Sequence, residues 1–307
     1  MTGAVAPPGR LTRVAEGVYA YVQAPGGWCL NNAGLVVGAD TSVLVDTAAT
    51  ESRARHLARQ VGAVVGSGPD IVVNTHFHGD HVFGNGLFAP RATVVAHEGT
   101  RADMEEAGLG LRGLWPRVAW GDTRLVLPTL TFRTELTLRL GTTGPRAELL
   151  HLGPAHTATD VAVWVPGPDV LFAGDLLWSG VTPYVLMGSV EGSLRAVARM
   201  RALRPRVVVP GHGAVGGPEL LDLTEEYLRW CRRIAEEGLS AGLSPLEAAR
   251  RARPGPYADL VDPERLVGNL HRAYAELEGL PPGARIDVAG SFKEMCEFHG
   301  GLPECRA

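Results

Sequence analysis

Lysine is all but missing from this chain: Lys293 is the only one, and arginine supplies the rest of the 29 basic residues. With Ala, Gly and Pro abundant, that reads as the coding bias of a GC-rich genome rather than a binding device. An excess of basic charge is missing too. The 33 acidic residues leave a net charge of −4, which excludes the electrostatic footprint of a nucleic-acid or anionic-membrane binder. No apolar run approaches the roughly 18 residues needed to span a bilayer. The four cysteines, Cys29, Cys231, Cys296 and Cys305, make no CxxC pair, which removes zinc ribbons and thioredoxin-type motifs. The opening MTGAVAPPGR lacks a charged start followed by an apolar core, so no secretory signal is expected and a reduced, cytoplasmic setting is.

What is there is ordinary globular material, 45% hydrophobic and 20% charged over 307 residues, enough for a full core. The first half alternates β-rich runs (Gly17–Gln23, Asn32–Gly38, Thr41–Thr47, Asp70–His76, Ala92–His97) with helical spacing at Ser52–Val65 and around Thr100–Gly108. The second half repeats that texture: runs at Glu148–Gly153, Asp160–Pro166, Asp169–Leu177 and Arg206–His212, with a helix at Ser193–Leu203 before the Arg204-Pro205 breaker. From Pro218 the periodicity is helical, over Glu219–Glu237, Ser244–Arg253 and Pro263–Leu277, with Ser244 and Glu247 spaced as a capping box. The expected organisation is a mixed α/β catalytic domain over residues 1–217 and a helical extension over 218–307 packed on it.

One stretch, NTHFHGDHVFGN (Asn74 to Asn85), holds His76, His78, Asp80 and His81 within six positions. On a strand, residues two apart share a face, so His76 and His78 present two imidazoles together where the run ends. Gly79 allows a tight turn, after which Asp80 and His81 swing to the neighbouring side. Imidazole with carboxylate is a ligand set for Zn²⁺, and also for iron and manganese. Further ligands should recur at other strand ends. His156 follows Glu148–Gly153, Asp175 closes VLFAGD and His212 closes VVVPGH, where α/β folds collect their sites.

These motifs resemble the metallo-β-lactamase superfamily. Its HxHxDH signature stands here as His76-Phe77-His78-Gly79-Asp80-His81, and its later elements match GPAHT, FAGD and PGHG. The resemblance spans about Val14 to Pro218. It implies an αββα sandwich with two metals at one edge, expected to be Zn²⁺. His76, His78 and His156 would hold the first, Asp80, His81 and His212 the second, with Asp175 bridging. Asp80 and Asp175 are then the candidate catalytic carboxylates. Antibiotic hydrolysis is disfavoured, because many β-lactamases of the family have cysteine at the second metal or lack the bridging acid. Thioester and lactone hydrolysis stay open.

A narrower resemblance lies outside the ligands. GVYAYVQAPGGWCLNNAG, GLWPRVAWGD, FAGDLLWSGVTPYVLMGS and ERLVGNLHRAYAELEG are similar to the cyclase/thioesterases of aromatic polyketide biosynthesis. That implies closure of a further ring by intramolecular aldol condensation. It also implies release from an acyl carrier protein by thioester hydrolysis. The alternative is a general metal-dependent thioesterase or lactonase acting on a small-molecule thioester or ester. Trp28, Asn31, Trp178, Thr182 and Tyr184 are the candidate substrate-binding residues, with Asn32 and Trp115 near them. Arg229, Arg232, Arg233, Arg250, Arg251 and Arg253 either dock an acidic carrier or form a solvated face with the interleaved Glu225, Glu226, Glu236 and Glu237. Cys29 reads as a packing thiol. In the tail, Cys296, His299 and Cys305 lack metal spacing, so neither a third metal site nor a disulfide is expected. The tail packs on the domain or on a neighbouring subunit, which leaves a homo-oligomer open.

Overall fold

The β-rich runs pair into two sheets, in a computed structural model that describes residues 5–142 and 144–307. The first sheet runs β1 (Arg10–Ala15), β2 (Val18–Val22), β3 (Ala33–Val37), β4 (Ser42–Val45), β5 (Ile71–Val73), β6 (Thr93–His97) and β7 (Leu130–Phe132), in that order. The second runs β8 (Glu135–Arg139), β9 (Arg146–His151), β10 (Val161–Val165), β11 (Val170–Trp178) and β12 (Val207–His212). Helices α1 (Glu51–Val65), α2 (Gly79–Val82), α3 (Asn85–Phe88), α4 (Glu98–Ala107) and α5 (Leu111–Leu114) lie between strands of the first sheet. Helix α6 (Val190–Ala202) joins β11 to the parallel β12. The chain ends in α7 (Glu219–Ser240), α8 (Pro245–Arg251), α9 (Arg265–Leu277) and α10 (Val288–His299).

Strand alternation explains the layering. Val43 and Val45 of β4 enter one cluster with Val161, Val163 and Val165 of β10, which fills the space between the sheets. Leu44 points the other way, onto Leu57 and Val61 of α1. On the second sheet, Ala162 and Trp164 turn outward onto Ala196, Val197 and Met200 of α6. Both faces of each sheet are covered, so the central strands read as continuous apolar runs rather than alternating ones. Helix, sheet, sheet, helix is the expected sandwich. The four C-terminal helices add a core of their own, in which Tyr227, Leu228, Leu270 and Met295 pack with Trp178 and Tyr184 of the two-sheet half. The Ser244–Glu247 capping box forms as expected.

Three expectations need correction. β5 stops at Val73 rather than running to His76, because the Asp46 carboxylate takes the Thr75 N–H at 2.8 Å and replaces the strand ladder. His76 and His78 therefore converge from a loop, not from one face of a pleat. Asp175 does not close its strand but sits inside β11, beside a register irregularity around Gly174. Gly174 has φ 53°, a left-handed backbone that favours glycine. The short strands β1, β7 and β8 and the helix α10 carried too little periodicity to be read from sequence.

Leu149 is fully buried between the sheets. Leu149→Ala should cost about 2–5 kcal/mol in urea unfolding, whereas Leu130→Ala, at a side chain 41% exposed, should shift stability by no more than about 0.5 kcal/mol.

Candidate metal centre

The loop Asn74–Asn85 is clipped at both ends by its own asparagines. Asn85 Nδ2 donates to Asn74 Oδ1 at 2.8 Å, and Asn74 Nδ2 donates to Asn85 Oδ1 at 3.1 Å. Thr47 holds the middle, with its N–H and its hydroxyl each donating to His81 O at 2.8 Å. Within that frame His76, His78, Asp80 and His81 meet three residues from the second sheet. His156 comes from the β9–β10 loop, where the Asp160 carboxylate takes the Thr157 N–H and hydroxyl at 2.8 Å. Asp175 comes from the irregular part of β11, and His212 from the end of β12. Gly211 leaves room beside Asp175: a Cβ there would stand 1.9 Å from Asp175 Oδ1.

The seven side chains fall into two groups, His76, His78, His156 and Asp175, and Asp80, His81 and His212, each with its ligand atoms within 4.8 Å of one another. Asp175 faces both: its Oδ2 lies 3.4 Å from His156 Nε2 and 3.5 Å from His212 Nε2, while Oδ1 lies 3.1 Å from His81 Nε2. Asp80 Oδ2 lies 3.3 Å from His212 Nε2. All seven sequence candidates are brought together.

The rear of each imidazole decides which nitrogen faces inward. His81 Nδ1 donates to Asp46 Oδ2 at 2.8 Å, His212 Nδ1 to Gly26 O at 2.9 Å, and His156 Nδ1 to Tyr184 O. Those oxygens can only accept, so Nδ1 carries a proton and Nε2 is the nitrogen turned toward a cation. His76 Nδ1 lies 3.0 Å from the Thr75 hydroxyl, which itself donates to Asp46 Oδ2 at 2.7 Å. His78 is turned round and offers Nδ1, 2.8 Å from His156 Nε2. His76 Nε2, His81 Nε2 and Asp175 Oδ1 are buried without a well-directed hydrogen-bond partner. Buried groups of this kind are paired or coordinate metals. The donor set fits two divalent cations.

Charge behaviour follows the same division. Burial drives His76 well below an ordinary imidazole, reinforced by His81, and burial with His156 takes His78 down to about 3. Burial also acts to lower His81, but Asp175, Asp46 and Asp80 outweigh it and hold the ring well above its usual value. His212 is raised in the same way, with burial overcome by Asp175 and Asp80. Burial acts to raise Asp80, yet His81 and His212 bring it down to about 2. Asp175 lies well below the carboxylate range, burial being overcome by His212, His81 and His156.

Beside the ligands lies a cavity of about 400 Å³. Trp28, Trp178, Tyr184, Leu111, Leu114 and Phe292 give it an apolar wall, and His78, Asp80, His156, Asp175 and His212 open into it. The Trp178 ring stacks on His212, 4.8 Å between centroids and 14° from parallel. Arg265 lies 4.1 Å from the Trp28 ring centroid and 4.7 Å from that of Trp178. Three of the five proposed substrate-binding residues thus line the cavity. Asn31 and Thr182 do not. The Asn31 amide is spent on Thr47 O and Asn32 O at 3.0 Å, and Thr182 is buried with its carbonyl accepting from Arg265 Nη1 at 3.2 Å. Asn32 ties Pro210 O and Gly213 O, and Trp115 donates to Pro303 O at 2.7 Å, so both are framework. Arg229, Arg232 and Arg250 pair with Glu225, Glu236 and Glu297. Sequence reasoning missed Asp46, whose signal was an acid ending a β-rich run. It also missed Arg265 and Phe292, which only the packing of the extension brings here.

Two outcomes test this centre. Asp46→Asn should weaken Zn²⁺ binding about 10–100-fold in a chelator competition while the fold persists. Zn²⁺ added to metal-free protein near pH 7 should release protons, because His81 and His212 hold theirs above the ordinary imidazole range and must lose them to bind. An indicator dye reads the release, which should shrink as pH rises through the raised values.

The sequence profile of the metallo-beta-lactamase superfamily matches residues 26–212. A metallo-beta-lactamase type 2 of Bacteroides fragilis is 24% identical over 229 residues, covering 71% of this chain and 84% of its own. A hydroxyacylglutathione hydrolase of Methylococcus capsulatus is 32% identical over 134 residues, 43% of each chain. The solved structure of a metallo-beta-lactamase from Pontibacter korlensis superposes with a TM-score of 0.59 at 23% identity, over 72% of this chain and 99% of that one. At that identity the likeness speaks for the fold alone. With the profile matched across both metal-ligand groups, this chain belongs to the metallo-beta-lactamase superfamily.

Proposed function

We propose that this metal-dependent enzyme acts in aromatic polyketide biosynthesis in the cytoplasm. It closes a further ring of a carrier-bound polyketide by intramolecular aldol condensation and releases the product by thioester hydrolysis. One observation carries the reading: the apolar cavity of about 400 Å³, walled by Trp28, Trp178, Tyr184 and Phe292, opens directly onto the metal ligands. That volume lies within the range of small-molecule sites, and aromatic walls suit a flat, partly cyclised ring system. The sequence segments around Trp28, Trp178 and Arg265, which resemble those of the polyketide cyclase/thioesterases, supply much of this wall.

When bound, two divalent cations supply Lewis acidity toward a carbonyl oxygen and bring the pKa of water toward neutrality. The chain does the rest. Trp28, Tyr184 and Phe292, whose rings meet edge-on at 5.4 and 6.3 Å between centroids, clamp the substrate and exclude bulk water. Asp80, held near 2 by His81 and His212 against the effect of burial, stays ionised at neutral pH and is a poor general base. Asp80 and Asp175 therefore hold charge and orient the reacting water by accepting hydrogen bonds. Asp46 fixes His81 and, through Thr75, His76.

A second reading, a general thioester or lactone hydrolase, draws on the 32% identity to a hydroxyacylglutathione hydrolase over 134 residues. Reconstitution separates the two. Zinc-loaded protein is given a monocyclic or bicyclic polyketide thioester, with simple acyl thioester, lactone and β-lactam controls, and the products are identified. A new ring in the released product supports the first reading; fast turnover of simple thioesters with the ring pattern unchanged supports the second. His78→Ala and Asp175→Ala should each abolish turnover in a protein that remains folded by circular dichroism. Phe292→Ala should raise KM for the polycyclic thioester about 10-fold, the order expected for losing one buried aromatic contact, with little change for a simple acyl thioester.

A further inference from the structure

The last residues of the chain form a strap that returns from α10 to the catalytic half. Trp115 Nε1 donates to Pro303 O at 2.7 Å. Arg53 Nη2 donates to Arg306 O at 2.8 Å, and the Ala6 N–H donates to the same carbonyl at 3.1 Å. Cys305 sits between these two fixed carbonyls, partly exposed, and packs on the cluster that contains Cys29, Trp115 and Phe83. Cys29 lines the metal cavity and is otherwise buried, with φ 64°, a left-handed backbone uncommon for a side-chain-bearing residue. Each thiol is the first influence on the acidity of the other, raising Cys29 and lowering Cys305. Cys231 and Cys296 feel no other thiol. Both sulfurs of the pair are free.

We propose that Cys29 and Cys305 are a redox modification site, forming a reversible disulfide that staples the C-terminal strap to the wall of the metal cavity. The oxidant is a peroxide. The Cys305 sulfur attacks it and becomes a sulfenic acid, releasing one water; the Cys29 sulfur then attacks that sulfur, the S–S bond forms and the sulfenic oxygen leaves as a second water. A dithiol returns two electrons and two protons and reopens the pair. Hydrogen bonds on either side of Cys305 fix the strap where it packs on the cluster that contains Cys29, and a disulfide between them needs Cβ atoms about 3.5–4.5 Å apart. The staple would close nearly the whole chain into one loop, so it acts on stability as well as on the strap.

The test uses zinc-loaded protein and hydrogen peroxide at stoichiometric dose. The expected product has lost two hydrogens in mass, yields a joined peptide containing Cys29 and Cys305, melts roughly 5 °C higher and returns to the starting form with dithiothreitol. Cys305→Ser should abolish the joined peptide and the shift in melting temperature while leaving the metal content and activity of the reduced protein unchanged. Cys29→Ser should leave a sulfenic acid at Cys305 that dimedone traps. Oxidation of Cys305 to a terminal acid without the joined peptide, or linkage through Cys296 instead, overturns the proposal. If either variant fails to fold, the peptide map of the wild-type protein decides alone.

Discussion

Five imidazoles and two carboxylates, confined within a few ångströms and nearly dry, are the constraint on which the rest of this structure depends. Burial disfavours charge on each of them, and the carboxylates lean on whichever histidines can take a proton. Burial lowers His76 and His78, whereas at His81 and His212 the neighbouring carboxylates outweigh burial and raise the rings. A site so unbalanced has to be held together by everything behind it. The carbonyls of Gly26 and Tyr184, the Asp46 carboxylate and the reciprocal Asn74–Asn85 pair do that holding.

Asp46 shows how a single side chain serves fold and site at once. It ends β5 by taking the Thr75 N–H, orients the Thr75 hydroxyl and binds His81, from a residue at φ 60°. Three charge-assisted bonds offset the cost of an uncommon backbone and a buried carboxylate. Gly174 and Gly211 work by absence: a side chain at either would collide with Thr75 or Asp175. Strain and vacancy both concentrate where the two sheets hand their ligands to each other.

The helical extension is more than a cover. Its Arg265 lies over Trp28 and Trp178, and Phe292 of α10 closes the apolar wall. Trp178 in turn stacks on His212, so the apolar wall of the cavity and the candidate metal ligands are mechanically joined. The sandwich positions the polar chemistry, while the shape of the space beside it comes jointly from the sandwich and the helices added to it.

The candidate metal ligands were legible in the sequence because their chemistry is rare and six of the seven stand at or just beyond the ends of strands, Asp175 being the exception. The alternating and continuous apolar runs likewise disclosed most strands and the helical end of the chain. Local pattern failed where a distant group intervened. Asp46 cut short a strand that propensity would continue to His76, and Gly174 set Asp175 within β11 instead of at its close. Asn31 and Thr182 look like pocket residues in sequence, yet the Thr47 carbonyl claims the Asn31 amide and the Arg265 side chain donates to the Thr182 carbonyl. By itself the sequence determined the donor set, which follows from residue type and spacing, whereas the layering was expected only through the family resemblance. Only tertiary structure decided which nitrogen faces inward, which aromatic rings meet and which thiols are neighbours, because each depends on contacts between segments that no local spacing encodes.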